Sequence, residues 1–416
     1  MDEAKQSEMV KYGIKPVVLD PKATKLADVP IFYHWSQRFP VRYPTIKSKT
    51  FSHRLERRWL RHRIANYYAD YNYWVDLFQT YNIKLYFTWY TLFENHCVIV
   101  DALESLGGVT AVYQRSFQEF PATGTTVAAD VAFSFSKNNV EIEKKSHSMI
   151  PYHVVTGYMW DQRFPFMKEY ARGIRVQLQQ KGVKRILTFL DENSHDDPRW
   201  WTGHELMREN YIFLLEKLLA TPWLGLVLKP KVPSTLERRL GPAAELLRKA
   251  KQTGRCIIVE GGVLHGSYPP AVAALASDLT IHGHLCAATA GVEAALTGVP
   301  TLLLDREGWP MSTLYRLGKG RVVFTDWPTL WKACLEHWDH PAGTPGFGDW
   351  SPLLDEFDPF RDGRAAERVG VYLHWILEGF KAGLPRETIL ADAAERYSQR
   401  WGKDKVNQIN VTKKSP

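Results

Sequence analysis

One run limits this chain more than any other: Ser277 to Asp305, SDLTIHGHLCAATAGVEAALTGVPTLLLD. A short apolar stretch, Leu279-Thr-Ile281, leads into Gly283 and a turn. A small-residue helix is predicted from Thr289 and stops at Gly298-Val-Pro300. A second apolar stretch, Thr301–Leu304, ends at Asp305. Strand, loop, short helix and strand in that order are the grammar of a parallel α/β sheet. The loop falls at the carboxyl end of its strand, where open α/β sheets bind ligands.

A chain of 416 residues is long for one core, so two domains are expected. Hydrophobic content of 45% and charged content of 24% are those of a globular protein. No stretch reaches the ~20 apolar residues that cross a bilayer, and MDEAKQSEMVKYG lacks the basic and apolar regions of a signal peptide. Cys97, Cys256, Cys286 and Cys334 form no CxxC pair and are read as reduced thiols of a cytoplasmic protein.

Positive charge is concentrated. Arg38 to Arg63 carry nine Lys or Arg against the single acid Glu56, an excess equal to the whole-chain net charge of +8. Trp35, Phe39, Tyr43, Phe51 and Trp59 lie between these charges. Two readings fit this basic aromatic segment, 35–63: a solvated helix face with a loop, or a contact with an anionic partner such as a membrane surface reached through Arg54, Arg57, Arg58 and Arg61. No helix-turn-helix, RNP or zinc-finger pattern accompanies it, so no nucleic-acid partner is expected.

The periodicity predicts a helix over 54–80, a strand at 83–87, a helix over 94–106 and strands at 109–113, 131–135 and 152–155. A helical bridge is read over 158–182. Strands follow at 185–190, 224–228, 256–259, 279–281, 301–304 and 322–324, with helices between them at 205–219, 236–251, 270–276 and from 289. A helix is predicted over 327–338, a loop over 340–362, then helices over 363–380 and 386–397, and a disordered tail after Gly402. The domains are accordingly set at 1–160, 161–380 and 381–416, the last a closing helix and tail.

Strand ends of the second domain gather Asp191, Glu192, Lys229, Glu260, His265 and the Gly283–Gly291 loop on one edge. Free N–H groups and the dipole at the start of the helix at Thr289 suit a phosphate, and the small residues Gly283, Ala290 and Gly291 let it approach. Glu293, one turn in, can accept from ribose hydroxyls. The bland alternatives are an N-cap at Thr289, a dipole-favoured acid at Glu293, a solvated Lys229 and structural His282 and His284. No acidic cluster accompanies these histidines, and no metal is expected.

The Ser277–Asp305 run resembles the C-terminal sugar-nucleotide signature of GT-B glycosyltransferases, especially enzymes of bacterial capsule and lipopolysaccharide biosynthesis. Leu228-Lys-Pro-Lys231 resembles their basic phosphate contact, with Lys231 where many relatives carry His. Asp130–Phe135 with Val155–Tyr158 resembles the end of their first domain, and Val112–Ser116 their acceptor-side segment. The resemblance covers about residues 83–380. It implies two Rossmann-like domains facing across a cleft, parallel sheets with flanking helices, a UDP- or CMP-sugar donor on the second domain, a glycan acceptor on the first, and no cofactor. Lys229, Lys231, Glu260, His265, Gly283, Thr289, Ala290, Gly291 and Glu293 are then the donor contacts, and Gln114 and Arg115 the acceptor contacts. Asp191, Glu192, Glu119 and His284 are the candidate general bases.

Two other readings share these features. One is a sugar-nucleotide 2-epimerase or polyol-phosphate transferase on the same fold. The other is a non-catalytic protein that docks on a membrane or anionic partner through segment 35–63.

Overall fold

The strands of the C-terminal half are near-continuous apolar runs, as expected where helices cover both faces of a sheet. In the computed structural model, which describes residues 9–17, 19, 53–91, 95–197, 203–261, 268–285 and 288–409, the chain divides into two units. Unit 1 takes residues 1–115, 121–155 and 368–416; unit 2 takes 116–120 and 156–367. Most of segment 35–63 lies outside the described residues, as does His265.

Unit 1 begins with α1 (Arg54–Thr80), then β1 (Leu85–Thr88), α2 (Asn95–Ser105), β2 (Val109–Tyr113) and β3 (Val131–Ser134). Next come α3 (Lys137–Lys145) and β4 (Tyr152–Val155). Four strands pair in parallel in the order β1-β2-β3-β4. Helix α3 was not expected. Its sequence, KNNVEIEKK, is almost wholly polar and buries only Asn139, Val140 and Glu143, so no apolar stripe announces it. Its start is set by Ser136, whose hydroxyl accepts from the Asn138 N–H.

Unit 2 contains α4 (Phe164–Gln179), β5 (Arg185–Asp191), α5 (His204–Ala220) and β6 (Leu224–Pro230). Then follow α6 (Leu236–Leu240), α7 (Ala244–Gln252), β7 (Cys256–Ile258), α8 (Pro270–Leu275) and β8 (Leu279–His282). The unit continues with α9 (Thr289–Leu296), β9 (Thr301–Leu304), β10 (Val323–Phe324), α10 (Trp327–Asp339) and α11 (Ser351–Phe357). Three expectations change here. The single helix over 236–251 is broken at Gly241-Pro242, because proline has no N–H to continue the ladder. The bridge over 158–182 is helical only from Phe164, with Pro165 in its first turn and a 3-10 turn before it. The loop over 340–362 contains α11.

The unit 2 sheet is wholly parallel, in the order β10-β9-β8-β5-β6-β7. Counted from β5, that is 3-2-1-4-5-6, the Rossmann order. The strand order reverses between β5 and β8, which places the topological switch point at the carboxyl ends of these two neighbours. Leu187, Phe189, Leu226, Leu228, Leu279 and Ile281 form one core with α5, α6 and α7. Ile186, Leu190 and Val227 form the other with α4 and α8. The Asp278 carboxylate fixes the register at the opposite end, accepting from the Ile186 N–H at 2.7 Å and from Arg175 at 2.9 Å.

Residues 368–416 return to unit 1. They carry most of α12 (Ala365–Lys381), all of α13 (Arg386–Trp401) and β11 (Val406–Gln408). β11 pairs antiparallel with β4, so the chain just after Gly402 is a sheet edge and not the disordered tail expected. Nothing in the sequence of this three-residue strand marks it; the free edge of β4 supplies its hydrogen bonds. Around it, Arg386 pairs with the Asp130 carboxylate, and the Tyr397 hydroxyl donates to the Val155 carbonyl at 2.8 Å.

Candidate active site

The carboxyl ends of β5, β6, β8 and β9 carry a dense set of ionisable side chains, most of them buried. Asp191 ends β5. Its carboxylate accepts from the Tyr211 hydroxyl at 3.2 Å and from Arg239 at 3.4 Å. Burial nevertheless pushes its carboxyl up to about 6, the Arg239 guanidinium pulling the other way. Glu192, next along, takes a 2.6 Å ion pair from Lys231, whose side chain is half-exposed.

β6 runs two residues farther than expected, so Lys229 lies within the strand, paired in register with Leu190. It is not a solvated lysine but 5% exposed, and its amine donates to the Pro230 carbonyl at 3.1 Å. Burial lowers this amine to about 8, while Glu293, Asp191 and Glu192 pull it upward. One cation therefore sits buried among three carboxylates.

At the end of β8, His282 and His284 alternate around Gly283. A Cβ at 283 would meet the Phe189 ring at 3.0 Å, so close packing requires this glycine. The His282 Nδ1–H donates to the His284 carbonyl at 2.6 Å, and burial lowers the ring to about 4. His284 donates from Nδ1 to Glu307 at 2.7 Å, both side chains being buried. The second Glu307 oxygen accepts from the Leu285 N–H at 3.2 Å. This contact orients the ring, with the Nδ1 proton toward Glu307 and Nε2 as the nitrogen left for another partner.

Glu307 was missed in the sequence. Its only signal was position: Asp305-Arg-Glu307 follows β9, the neighbour of β8, so its carboxylate falls beside the loop after β8. Asp305 itself closes a turn, accepting from the Gly308 and Trp309 N–H groups and from the Tyr315 hydroxyl at 2.6 Å.

Other expected residues have local partners. Glu293 is buried, and both carboxylate oxygens are engaged: one by the Tyr158 hydroxyl, the other by the Ala271 N–H at 2.8 Å. It thereby ties the turn before α4 to the first turn of α8. Burial raises its carboxyl, and these two hydrogen bonds draw it back. Thr289 is not the N-cap of α9, a place taken by Ala288; its hydroxyl accepts from the Phe117 N–H at 2.9 Å. A Cβ at Gly291 would meet Leu303 at 3.2 Å, and Ala290 beside it is half-buried. Glu119 accepts from Ser312 at 2.5 Å and Thr313 at 3.1 Å, within the 116–120 segment of unit 2. Glu260 is exposed beyond β7. In unit 1, the Gln114 side-chain carbonyl accepts from the Phe135 N–H at 2.8 Å, and the Arg115 guanidinium lies over Trp89 at 4.7 Å.

Unit 2 thus gathers Asp191, Glu192, Lys229, Lys231, His282, His284, Glu293 and Glu307 at strand ends or beside them, while Gln114 and Arg115 belong to unit 1. Arg239 was also unforeseen. It is buried on α6 and donates to Asp191 at 3.4 Å and to Ser194 at 3.1 Å.

No protein-family model matches the chain. No curated protein matches it either. Among solved structures it is similar to a putative UDP-N-acetylglucosamine 2-epimerase from Listeria monocytogenes, at 16% identity over 77% of this chain and 80% of that one, with a TM-score of 0.48. S. aureus MnaA with UDP gives 13%, 75%, 81% and 0.47. Anabaena HepE with UDP and glucose gives 13%, 72%, 80% and 0.43. Nothing about this chain's chemistry follows from these likenesses.

Proposed function

We propose that the protein is a metal-independent glycosyltransferase that moves a sugar from a UDP- or CMP-linked donor to a glycan acceptor in bacterial surface-polysaccharide assembly, on the inner face of a membrane. The observation that carries this reading is the buried His284–Glu307 pair after β8 at the β5/β8 switch point, on the same sheet edge as the buried Lys229 of β6. A carboxylate-oriented imidazole with a free Nε2 lone pair is built to take a proton. An acceptor hydroxyl deprotonated there attacks the anomeric carbon as the bond to the nucleotide phosphate breaks. The new imidazolium is stabilised by Glu307. Lys229 meets the charge that grows on the departing phosphate, where a buried cation acts more strongly than in water. Attack from the face opposite the leaving group inverts the anomeric centre. Asp191, Glu192 and Glu119 become the weaker candidates for the base, since each carboxylate already accepts from a cation or hydroxyl.

Titration with a panel of UDP- and CMP-sugars, followed by turnover with and without glycan acceptors, tests the reading. His284→Asn is expected to lower kcat by roughly a hundredfold or more, the usual worth of a general base, with donor Kd little changed. Glu307→Gln should lower kcat less. No nucleotide binding by folded protein overturns the proposal. Interconversion of a UDP-sugar with no acceptor present replaces it with an epimerase.

A further inference from the structure

Helix α1 is 27 residues long, yet its buried side chains, Leu77 and Phe78, lie only in the last turn. There they pack on Ile99, Ala102 and Leu103 of α2. The other end is bare. From His53 to Arg63 every residue but Leu60 is exposed. Leu55 is 67% exposed and Trp59 58%.

At 100° per residue these two fall on one stripe, four residues apart. Arg54, Arg57, Arg58 and Arg61 fall on the adjoining stripe, and within α1 Glu56 is the only acid before Asp70. The Arg63 guanidinium lies over the Trp59 ring at 5.7 Å, bringing another positive charge to the apolar stripe. An exposed leucine and tryptophan beside a row of arginines is the pattern of a helix lying in a lipid interface. A phosphate-rich polymer would meet the arginines but offers the leucine nothing to enter. Among the described residues no helix is long and apolar enough to cross a bilayer, so α1 would lie on the surface.

We propose that the first three turns of α1 dock the protein on an anionic bilayer. Leu55 and Trp59 enter the headgroup layer, and Arg54, Arg57, Arg58 and Arg61 contact lipid phosphates. The inference rests on this helix alone and stands whether or not the glycosyltransfer reading holds.

Flotation of the full chain with phosphatidylcholine vesicles, with and without phosphatidylglycerol, tests it. Only the anionic vesicles should carry the protein, and added salt should release it. Combining Arg54→Gln, Arg57→Gln, Arg58→Gln and Arg61→Gln should reduce partitioning up to roughly a thousandfold, and Trp59→Ala about several-fold. All these side chains are exposed, so the thermal midpoint should not move, which separates lost docking from lost folding. Failure of the wild-type chain to float overturns the proposal, and so does unchanged flotation of the four-arginine variant. Retention on heparin with no vesicle binding, unaffected by Trp59→Ala, would mean that α1 reads a soluble polyanion instead.

Discussion

Glu293 shows how a residue can be picked out in the sequence while its partners in the fold go unseen. Its place one turn into α9 suggested a sugar-nucleotide contact, yet its carboxylate already holds the Tyr158 hydroxyl and the Ala271 N–H. Replacing it with Ala leaves a buried hydroxyl and a helix N–H without partners, a cost of about 1–3 kcal/mol each. Glu293→Ala is therefore expected to lower the thermal midpoint, and Glu293→Gln to retain most of it. Tyr158→Phe separates the two duties. If Glu293 also receives ribose, the variant frees an acceptor oxygen and donor Kd falls; if the carboxylate is only a tie, Kd stays level while stability drops. Lys229 yields a second measurement. Its amine, lowered to about 8 by burial, loses its proton as pH rises through that value. The free-enzyme parameter kcat/KM should then fall on an alkaline limb near pH 8, and Lys229→Ala should abolish the limb along with most of the activity. Tyr158, Glu307 and Arg239 escaped the sequence reading because each acts through a partner far along the chain. A single sequence shows periodicity and turn chemistry, but it does not show which distant side chains meet.

At the scale of elements, most strands were legible because a strand buried on both faces reads as an apolar run, and β5, β6, β8 and β9 all do. Helices were legible in proportion to the apolar stripe they bury. Polar α3 fell below that threshold, and the break between α6 and α7 was overlooked although Gly241-Pro242 states it. β11 had no signal of its own, since its strand character is conferred by the edge it covers. Ending the chain at Gly402 tests that dependence. The truncated protein should show faster hydrogen exchange in β4 and a greater tendency to self-associate, since an uncovered edge strand is a template for pairing. Unaltered exchange in β4 would mean that the edge is guarded by something other than β11.

Over the whole molecule, stability should bear the mark of two buried groups with opposite pH dependence. His282 is held neutral, with a folded value of about 4 against 6.5. Its contribution is present above pH 6.5 and is lost as pH falls toward 4, when only the unfolded chain takes the proton. Asp191 is raised to about 6 from 3.8, so its contribution is present below pH 3.8 and is lost as pH rises through 6. Each shift corresponds to about 3 kcal/mol, so between pH 4 and 6 the two slopes largely offset. Denaturant titrations across that range should give a shallow profile for the wild type. His282→Asn should tilt it toward greater stability in acid, and Asp191→Asn should tilt it the other way. Parallel profiles for all three proteins would show that neither group titrates on unfolding.

The pairing of β11 with β4 also orders events during synthesis. Unit 1 is written in three pieces, and the last of them, residues 368–416, leaves the ribosome only after the whole of unit 2. Unit 2 is nearly continuous, and all its strands have been made by then. A nascent chain can therefore settle its Rossmann sheet early, while the four parallel strands β1 to β4, made before it, must wait, edge open, for α13 and β11 to arrive. Until then the outer side of β4 is an unpaired edge, and that is a surface a holding chaperone would have to shield.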